Sequence, residues 1–383
     1  MLHEHFLCFH LNRKFMSLIH FESQTEMFIF FRLFVCLVMF FVCFSQAEIS
    51  CLNEDGQPVD WFLIYKLPIY KMEVQGSGVE YMYLDPSFMN WQLSKHTVNS
   101  SKGALSKTMT QLYSRYTSNS SVYILYNDAP PELKYPSNYG HTKGVILFDQ
   151  SQGFWITHSV PHFPPFPERD YSYPASGKYY GQTLHCITYS YTQLPQISRH
   201  LAYIGPRVYN CSVPVAFRTL AVMAQICDGK TPAIKTRRSL EKLLSAGGQT
   251  FFSFAKSQSY VDDIYTGWVA QALDTDLLVE SWLHKAHRLP SNCSLPRHVM
   301  NIKRVCLPGL QLFSSYEDHS KWCVSNAFKD QWTCLGDLNR DSGQAGRGGG
   351  LICSQNPVIY KAFRQAVAEY TYCYSKSETR SGD

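Results

Sequence analysis

The sequence predicts a mixed α/β fold made of two related halves. Three observations lead there. Aromatic and β-branched runs that stop at proline recur in the first third of the chain, and those residue types favour strands. Apolar residues at helical spacing recur in the last third. A weak internal repeat occurs once in each half, and each copy reads as a β-hairpin.

Residues 1–47 form a leader. Residues 27–44 are almost wholly apolar and run into Ser45-Gln46-Ala47, a small-x-small cleavage pattern, so mature protein is expected to begin at Glu48. An uncleaved signal anchor is the alternative, because the run approaches spanning length; Arg32 and the cleavage pattern favour removal. Residues 1–26 are unusual ahead of such a run and leave Met27 as an alternative start.

Residues 59–68, with Trp61, Phe62, Ile64 and Tyr65, read as a strand ended by Pro68. Residues 121–127 read as another, closed by Asp128-Ala-Pro-Pro131. Helices are expected over 238–246, before Gly247-Gly248, over 262–273 and over 358–370. The first repeat opens at His141-Thr-Lys143, turns at 150–153 and returns through 154–158 to His158. The second opens at His319-Ser-Lys321, turns at 325–330 and returns through 332–339 to Asn339. The repeat divides the chain into the leader 1–47, an N-terminal half 48–205 and a C-terminal half 206–383.

Composition narrows the class. With 25 Tyr and 24 Phe and 17% charged residues, disorder is excluded as the main state. The formal charge is +5, unchanged on removal of the leader, which carries three residues of each sign. A charge this small only weakly favours a polyanion partner, although many of the 14 His would add to it in an acidic compartment. Three of the 13 Cys lie in the leader. The other ten, behind an export signal, imply disulfides. The absence of any Cys-x-x-Cys argues against structural zinc. Acceptor sequons at Asn99, Asn119, Asn210 and Asn292 agree with export.

The repeat carries the chemistry. Strand residues i and i+2 share a face about 6.5 Å apart, so His141 faces with Lys143 and His319 with Lys321. Pairing of the halves would put two imidazoles and two ammoniums around one phosphate. One neutral His then attacks phosphorus, the other donates a proton to the leaving oxygen, and the lysines hold the non-bridging oxygens, all without metal or cofactor. One His neutral and one charged is best met at mildly acidic pH if both titrate near their ordinary value. A single His-x-Lys is ordinary exposed chain; two copies opening similar hairpins are what give the pattern weight. His158-Ser-Val-Pro-His162 has metal-like spacing, but Pro161 argues against the helix that would align the pair. Residues 343–350 lack the Lys-Ser/Thr of a phosphate-binding loop and read as a flexible glycine-rich segment, from which Arg347 could touch phosphate. The many Tyr and Trp read mainly as core.

The sequence resembles the deoxyribonuclease II family over essentially all of 48–383, and more its beta type than its alpha type. The resembling segments are Gly56-Gln-Pro-Val-Asp-Trp-Phe62, Leu125-Tyr-Asn-Asp-Ala-Pro-Pro131, Gly140-His-Thr-Lys-Gly144, Gly153-Phe-Trp155, His158-Ser-Val-Pro161, Asp318-His-Ser-Lys-Trp-Cys323 and Arg347-Gly-Gly-Gly350. The resemblance implies a phospholipase D-like fold with two pseudo-symmetric halves in one compact unit. It also implies acid, metal-independent endonucleolytic cleavage of double-stranded DNA to 3′-phosphates, in lysosomes and also outside the cell. It implies His141 as nucleophile and His319 as general acid, Lys143 and Lys321 as phosphate ligands, and His158 and Asn339 as residues lining the site. The superfamily pattern places an Asp five residues after its Lys; here Phe148 and Asn326 hold those places, with Asp149 one residue late, which puts that Asp's role in doubt. Disulfides Cys51–Cys186, Cys293–Cys373 and Cys334–Cys353 are implied as well, leaving Cys211, Cys227, Cys306 and Cys323 unassigned. The rival readings are an exported polyanion-binding glycoprotein without catalysis and a phosphodiesterase acting on phospholipid.

Overall fold

The computed structural model describes residues 48–69, 76–134, 138–284, 287–310 and 312–373, together with Arg32. The leader and its cleavage point lie outside them. From the first described residues, β1 (Cys51–Leu52) and β2 (Pro58–Val59) form a short ribbon. Eight strands follow: β3 (Trp61–Lys66), β4 (Tyr81–Leu84), β5 (Gln92–Leu93), β6 (Val122–Asn127), β7 (Lys143–Phe148), β8 (Gln152–His158), β9 (Gln182–Ser190) and β10 (Val208–Ser212). They make one antiparallel sheet in the order β10-β6-β7-β8-β9-β3-β4-β5.

The rest of the chain builds a second sheet from β11 (Arg238–Leu244), β12 (Thr250–Lys256), β13 (Leu277–Glu280), β14 (Val299–Val305), β15 (Phe313–Ser314), β16 (Trp322–Ser325), β17 (Thr333–Gly336), β18 (Gly349–Ser354) and β19 (Val367–Tyr370). Its order is β11-β12-β18-β17-β16-β13-β14-β15, with β19 alongside β14. In the first sheet the hairpin β7/β8 continues through β9 to β3. In the second, β16/β17 continues through β18 to β12 with the same antiparallel pairing.

The sheets face one another, and the period of two along each strand assigns the layers. Trp61, Leu63 and Tyr65 of β3 share one core cluster with Trp322 and Val324 of β16 and Ile352 of β18. The alternate residues Phe62 and Ile64 point outward, where the helix Ala104–Tyr113 covers them with Leu105, Met109 and Leu112. On the outer face of the second sheet, a π-helical turn over Tyr265–Val269 and the short helix Ala270–Ala272 pack Tyr265, Trp268 and Val269 against Val279, Cys323 and Leu351. Both faces of the central strands are thus covered, so those strands are continuous apolar runs rather than alternating ones.

The strands expected early in the chain are present as β3 and β6, and both repeats are hairpins. The helix expected over 262–273 is present in that mixed form. Two expectations fail. Residues 238–246 are mainly strand β11, not helix, paired with β12 from Leu244↔Thr250 to Arg238↔Lys256. Leu, Glu and Lys favour helix, but the cross-strand partner overrides that preference, and the exposed charges suit an edge strand. The helix expected over 358–370 stops at Ala366, and Val367–Tyr370 is strand β19. Asn356 caps that helix by accepting from Val358 and Ile359, with Pro357 at its first turn. Disulfides join Cys51 to Cys186, Cys293 to Cys373 and Cys334 to Cys353, as the resemblance implied, and a fourth joins Cys211 to Cys227. Cys306 and Cys323 are unpaired.

Candidate active site

Both hairpins place their candidate residues at the same end: beside the start of the first strand and the end of the second. Neither histidine lies within a strand as the sequence pattern had it. His141 sits two residues before β7, and His319 and Lys321 precede β16. Each is instead held by the opposite sheet. His141 N–H donates to the Gly348 carbonyl, just before β18, at 2.9 Å; His319 N–H donates to the Gly181 carbonyl, just before β9, at 2.9 Å.

The imidazoles are anchored in the same crossed fashion. His141 Nδ1 donates to the carbonyl of Asp337, the residue after β17, at 2.7 Å. His319 Nδ1 donates to the carbonyl of Ser159, the residue after β8, at 3.1 Å, and Gln182 Oε1 lies 3.3 Å from the same nitrogen. Ser159 Oγ donates to Gln182 Oε1 at 2.6 Å and fixes it. A carbonyl only accepts, so each ring carries its proton on Nδ1 and leaves Nε2 for chemistry.

Close packing sets His141 in place. Gly140 N–H donates to the Gly205 carbonyl at 2.8 Å. Gly205 ends the helix Leu194–Ile204 in the left-handed conformation, φ 59°. A Cβ on Gly140 would stand 1.9 Å from the Ile204 carbonyl oxygen, a distance only glycine avoids.

Charge is concentrated here. Lys143 Nζ pairs with Asp128 at 2.5 Å, Arg347 reaches the same carboxylate at 3.3 Å, and His141 Nε2 lies 3.8 Å from it. Arg347 also donates to the carbonyls of Tyr139 and Gly140. Lys321 Nζ donates to the His319 carbonyl at 2.6 Å and lies 3.1 Å from His319 Nδ1. Burial, then Lys143, pushes the His141 imidazole well below its ordinary value, with Lys321 and Arg347 adding and Asp128 opposing. Desolvation, then Lys321, Lys143 and His141, does the same to His319. The two motifs therefore feel each other's charge. Burial and Lys143 lower Lys321 as well. Burial resists ionisation of Asp128, but Lys143, His141 and Arg347 hold its carboxyl well below the usual range. Asp337 goes the other way, pushed up to about 7 by burial. The imidazoles are thus not the ordinary ones assumed from sequence: burial first, and the neighbouring lysines after it, disfavour a proton on either ring.

The other two residues expected at the site are both buried. His158 ends β8, is buried, and is pushed down to about 3 by burial and by Lys143; its Nε2 has no partner among the described residues. Asn339 lies three residues past β17, not on it, and its buried Oδ1 is likewise without a partner. The residues standing where the superfamily Asp would fall are elsewhere. Phe148 is core, Asp149 accepts from Ser151 and Gln152 in the β7/β8 turn, and Asn326 lies in the second turn.

A family model described as Deoxyribonuclease II matches residues 50–373. The chain belongs to the deoxyribonuclease II family. It is 47% identical to deoxyribonuclease-2-beta of Homo sapiens over 335 residues, covering 86% of this chain and 93% of that protein. It is 42% identical to deoxyribonuclease-2-alpha of Sus scrofa over 344 residues, 88% and 93% of the two chains. Plancitoxin-1 of Acanthaster planci is 36% identical over 358 residues, 92% and 99%. The higher identity to the beta-type protein agrees with the leaning of the sequence, and membership makes the chain a hydrolase of the nuclease class.

For this deoxyribonuclease II family member, sequence reasoning missed Asp128, Asp337, Gln182 and Ser159. Asp128 and Asp337 both fall directly after strand-like runs, in Tyr126-Asn-Asp128 and Gly336-Asp337, and an acidic residue at a strand end was the available signal. Gln182 and Ser159 gave none.

Proposed function

We propose that the chain is a metal-independent acid endodeoxyribonuclease that hydrolyses double-stranded DNA to 3′-phosphates through a phosphohistidine. We further propose a phospholipase D-like scaffold, with 48–205 and 206–383 as pseudo-symmetric halves. The observation that carries this is the crossed anchoring of His141 and His319. Each Nδ1 is tied to a carbonyl from the other half's hairpin, which leaves two Nε2 atoms for one phosphate. The matching strand order around the two hairpins supports the pseudo-symmetry.

In the first step His141 Nε2 attacks phosphorus. The P–O5′ bond breaks as protonated His319 gives its proton to O5′, which leaves as the 5′-hydroxyl. Lys143 and Lys321 hold the non-bridging oxygens. In the second step His319 takes a proton from water, the resulting hydroxide attacks phosphorus, and the P–N bond breaks. A 3′-phosphate leaves and both histidines are restored. The open Nε2 of His158 and Oδ1 of Asn339 suit contacts to phosphate oxygen or attacking water. Asp128 offsets the clustered positive charge before DNA arrives.

Acid dependence follows from the lowered histidines. His319 must be protonated to act, and its neighbours resist that. A bound phosphate diester supplies the negative charge that restores its basicity, and low pH completes the protonation. Export to lysosomes, with some release from the cell, fits four disulfides and this acid chemistry.

The test uses purified protein, supercoiled plasmid and excess EDTA at about pH 5, where histidine protonation is accessible. Nicking is expected to survive EDTA, to vanish in His141→Ala and His319→Ala, and to fade toward neutral pH. Activity lost to EDTA would overturn metal independence. Binding without cleavage at every pH would favour a polyanion-binding protein.

A further inference from the structure

We infer that a strip of aromatic rings beside His319 is a stacking subsite for the nucleobase on the 3′ side of the cleaved phosphate. The inference rests on the catalytic reading above, in which His319 serves the leaving O5′.

The strip begins at Trp282, whose ring stands edge-on to His319 with centroids 4.8 Å apart. Tyr180 lies 5.5 Å from Trp282. His284 contacts Trp282, Tyr180 and Tyr316 at 5.5, 5.6 and 5.7 Å. Arg288 places its guanidinium 5.5 Å from the Tyr316 ring centroid and donates to the Tyr316 hydroxyl. None of these four rings belongs to a core cluster. Burial rises toward the catalytic end: Trp282 and Tyr180 are half-buried, while His284 is exposed and Tyr316 is 40% exposed.

Two site segments hold the strip. Gly181 N–H donates to the Glu317 carbonyl at 2.8 Å, tying Tyr180 and Tyr316 to the backbone of His319. Leu289 N–H donates to the Arg340 carbonyl at 2.9 Å, tying Arg288 to the segment of Asn339. A run of rings that is exposed at its outer end and half-buried at its inner end leads straight to His319, so a ligand with a flat π-face accounts for it. Every nucleobase has one, and stacking on aromatic side chains is tolerant of sequence. Arg288 adds positive charge beside the stacked base. A base so placed has left its helical stack, which predicts faster cleavage where the strand is already unpaired.

The test uses single-stranded oligonucleotides with one phosphodiester among methylphosphonate linkages, and a tetrahydrofuran abasic residue on its 3′ side, its 5′ side or neither. For the wild type, removing the 3′-side base is expected to lower kcat/KM by about tenfold, within the range that base–aromatic stacking gives. Removing the 5′-side base should cost less. A His284→Ala, Tyr316→Ala double variant should lose the same factor on the intact oligonucleotide. It should match the wild type on the 3′-abasic one, a result a misfolded variant could not give; Tyr316→Phe should behave as wild type. The proposal fails if base removal costs nothing in the wild type, or costs the same factor in the double variant. In both of those outcomes the oligonucleotides are still cut and the nuclease reading stands. No cleavage of any oligonucleotide by wild type that still nicks supercoiled plasmid would overturn this inference alone; no cleavage of either would sink the catalytic reading and this one with it.

Discussion

His185 makes this fold acid-sensitive in a way that one substitution can remove. It lies on β9 between the sheets, 2% exposed, with its ring 5.7 Å from Phe251. Neither ring nitrogen has a hydrogen-bond partner among the described residues. Burial pushes it down to about 3 from 6.5. The folded-state value is depressed, so the stability it confers is present above the unfolded value and is lost as pH falls from 6.5 toward about 3. At pH 5 the unfolded chain protonates this histidine and the folded chain does not. About 1.5 pH units at about 1.4 kcal/mol each gives a loss of about 2 kcal/mol relative to pH 7.5. His185→Leu removes the titration and keeps an apolar side chain of similar size. Urea unfolding with disulfides intact, at both pH values, should show the variant gaining about 2 kcal/mol on the wild type at the lower pH beyond any gain at the higher. A variant that loses stability between them as steeply as the wild type would refute the reasoning.

Three other substitutions probe the site. Gly140→Ala should lower kcat/KM at least tenfold, because its Cβ would stand 1.9 Å from the Ile204 carbonyl oxygen, whereas Gly346→Ala, with nothing within 4 Å, should not; a fully active Gly140→Ala would deny that this contact sets His141. Asp128→Asn removes a carboxylate that supports protonation of His141, so the acid limb of the pH–rate profile should move to lower pH, and an unmoved limb would exclude Asp128 from the electrostatics. Gln182→Leu strips an acceptor from His319 Nδ1 and should lower kcat about tenfold with KM little changed, while an equal loss in KM alone would assign Gln182 to substrate binding instead.

The two hairpins that carry the candidate His and Lys residues were legible because a hairpin is a local object. Its strands, its turn and its opening motif lie within about twenty residues, and two copies mark each other. Asp128 and Gln182 were not legible as site residues. Asp128 reaches Lys143 across adjacent strand ends, and Gln182 reaches His319 from 137 residues away. No periodicity encodes either approach. The error at 238–246 has the same origin. Arg238-Ser-Leu-Glu-Lys-Leu-Leu244 is locally a fair helix, and only pairing with β12 makes it a strand. The ionisation of the two candidate histidines was not legible either. An isolated histidine titrates near 6.5, but His141 and His319 are lowered by burial in the folded chain and then by lysines distant in sequence, Lys321 for His141 and Lys143 for His319.

That shift changes the reason for acid dependence. Were both histidines ordinary, acid would merely select a mixed protonation state in the free enzyme. With both lowered by burial and by shared ammoniums, the free site favours two neutral imidazoles. Protonation and phosphate binding are then linked: each anionic oxygen brought beside Lys143 and Lys321 makes a proton on His319 less costly, and each proton gained tightens the anion. Asp128 sits where it weakens that linkage before substrate arrives, by holding Lys143 and Arg347 with its own carboxylate. A phosphate diester entering the site competes for those cations and leaves His319 facing a net negative group. On this account the general acid is assembled by its substrate, and acid pH supplies a proton that the empty site is built to refuse.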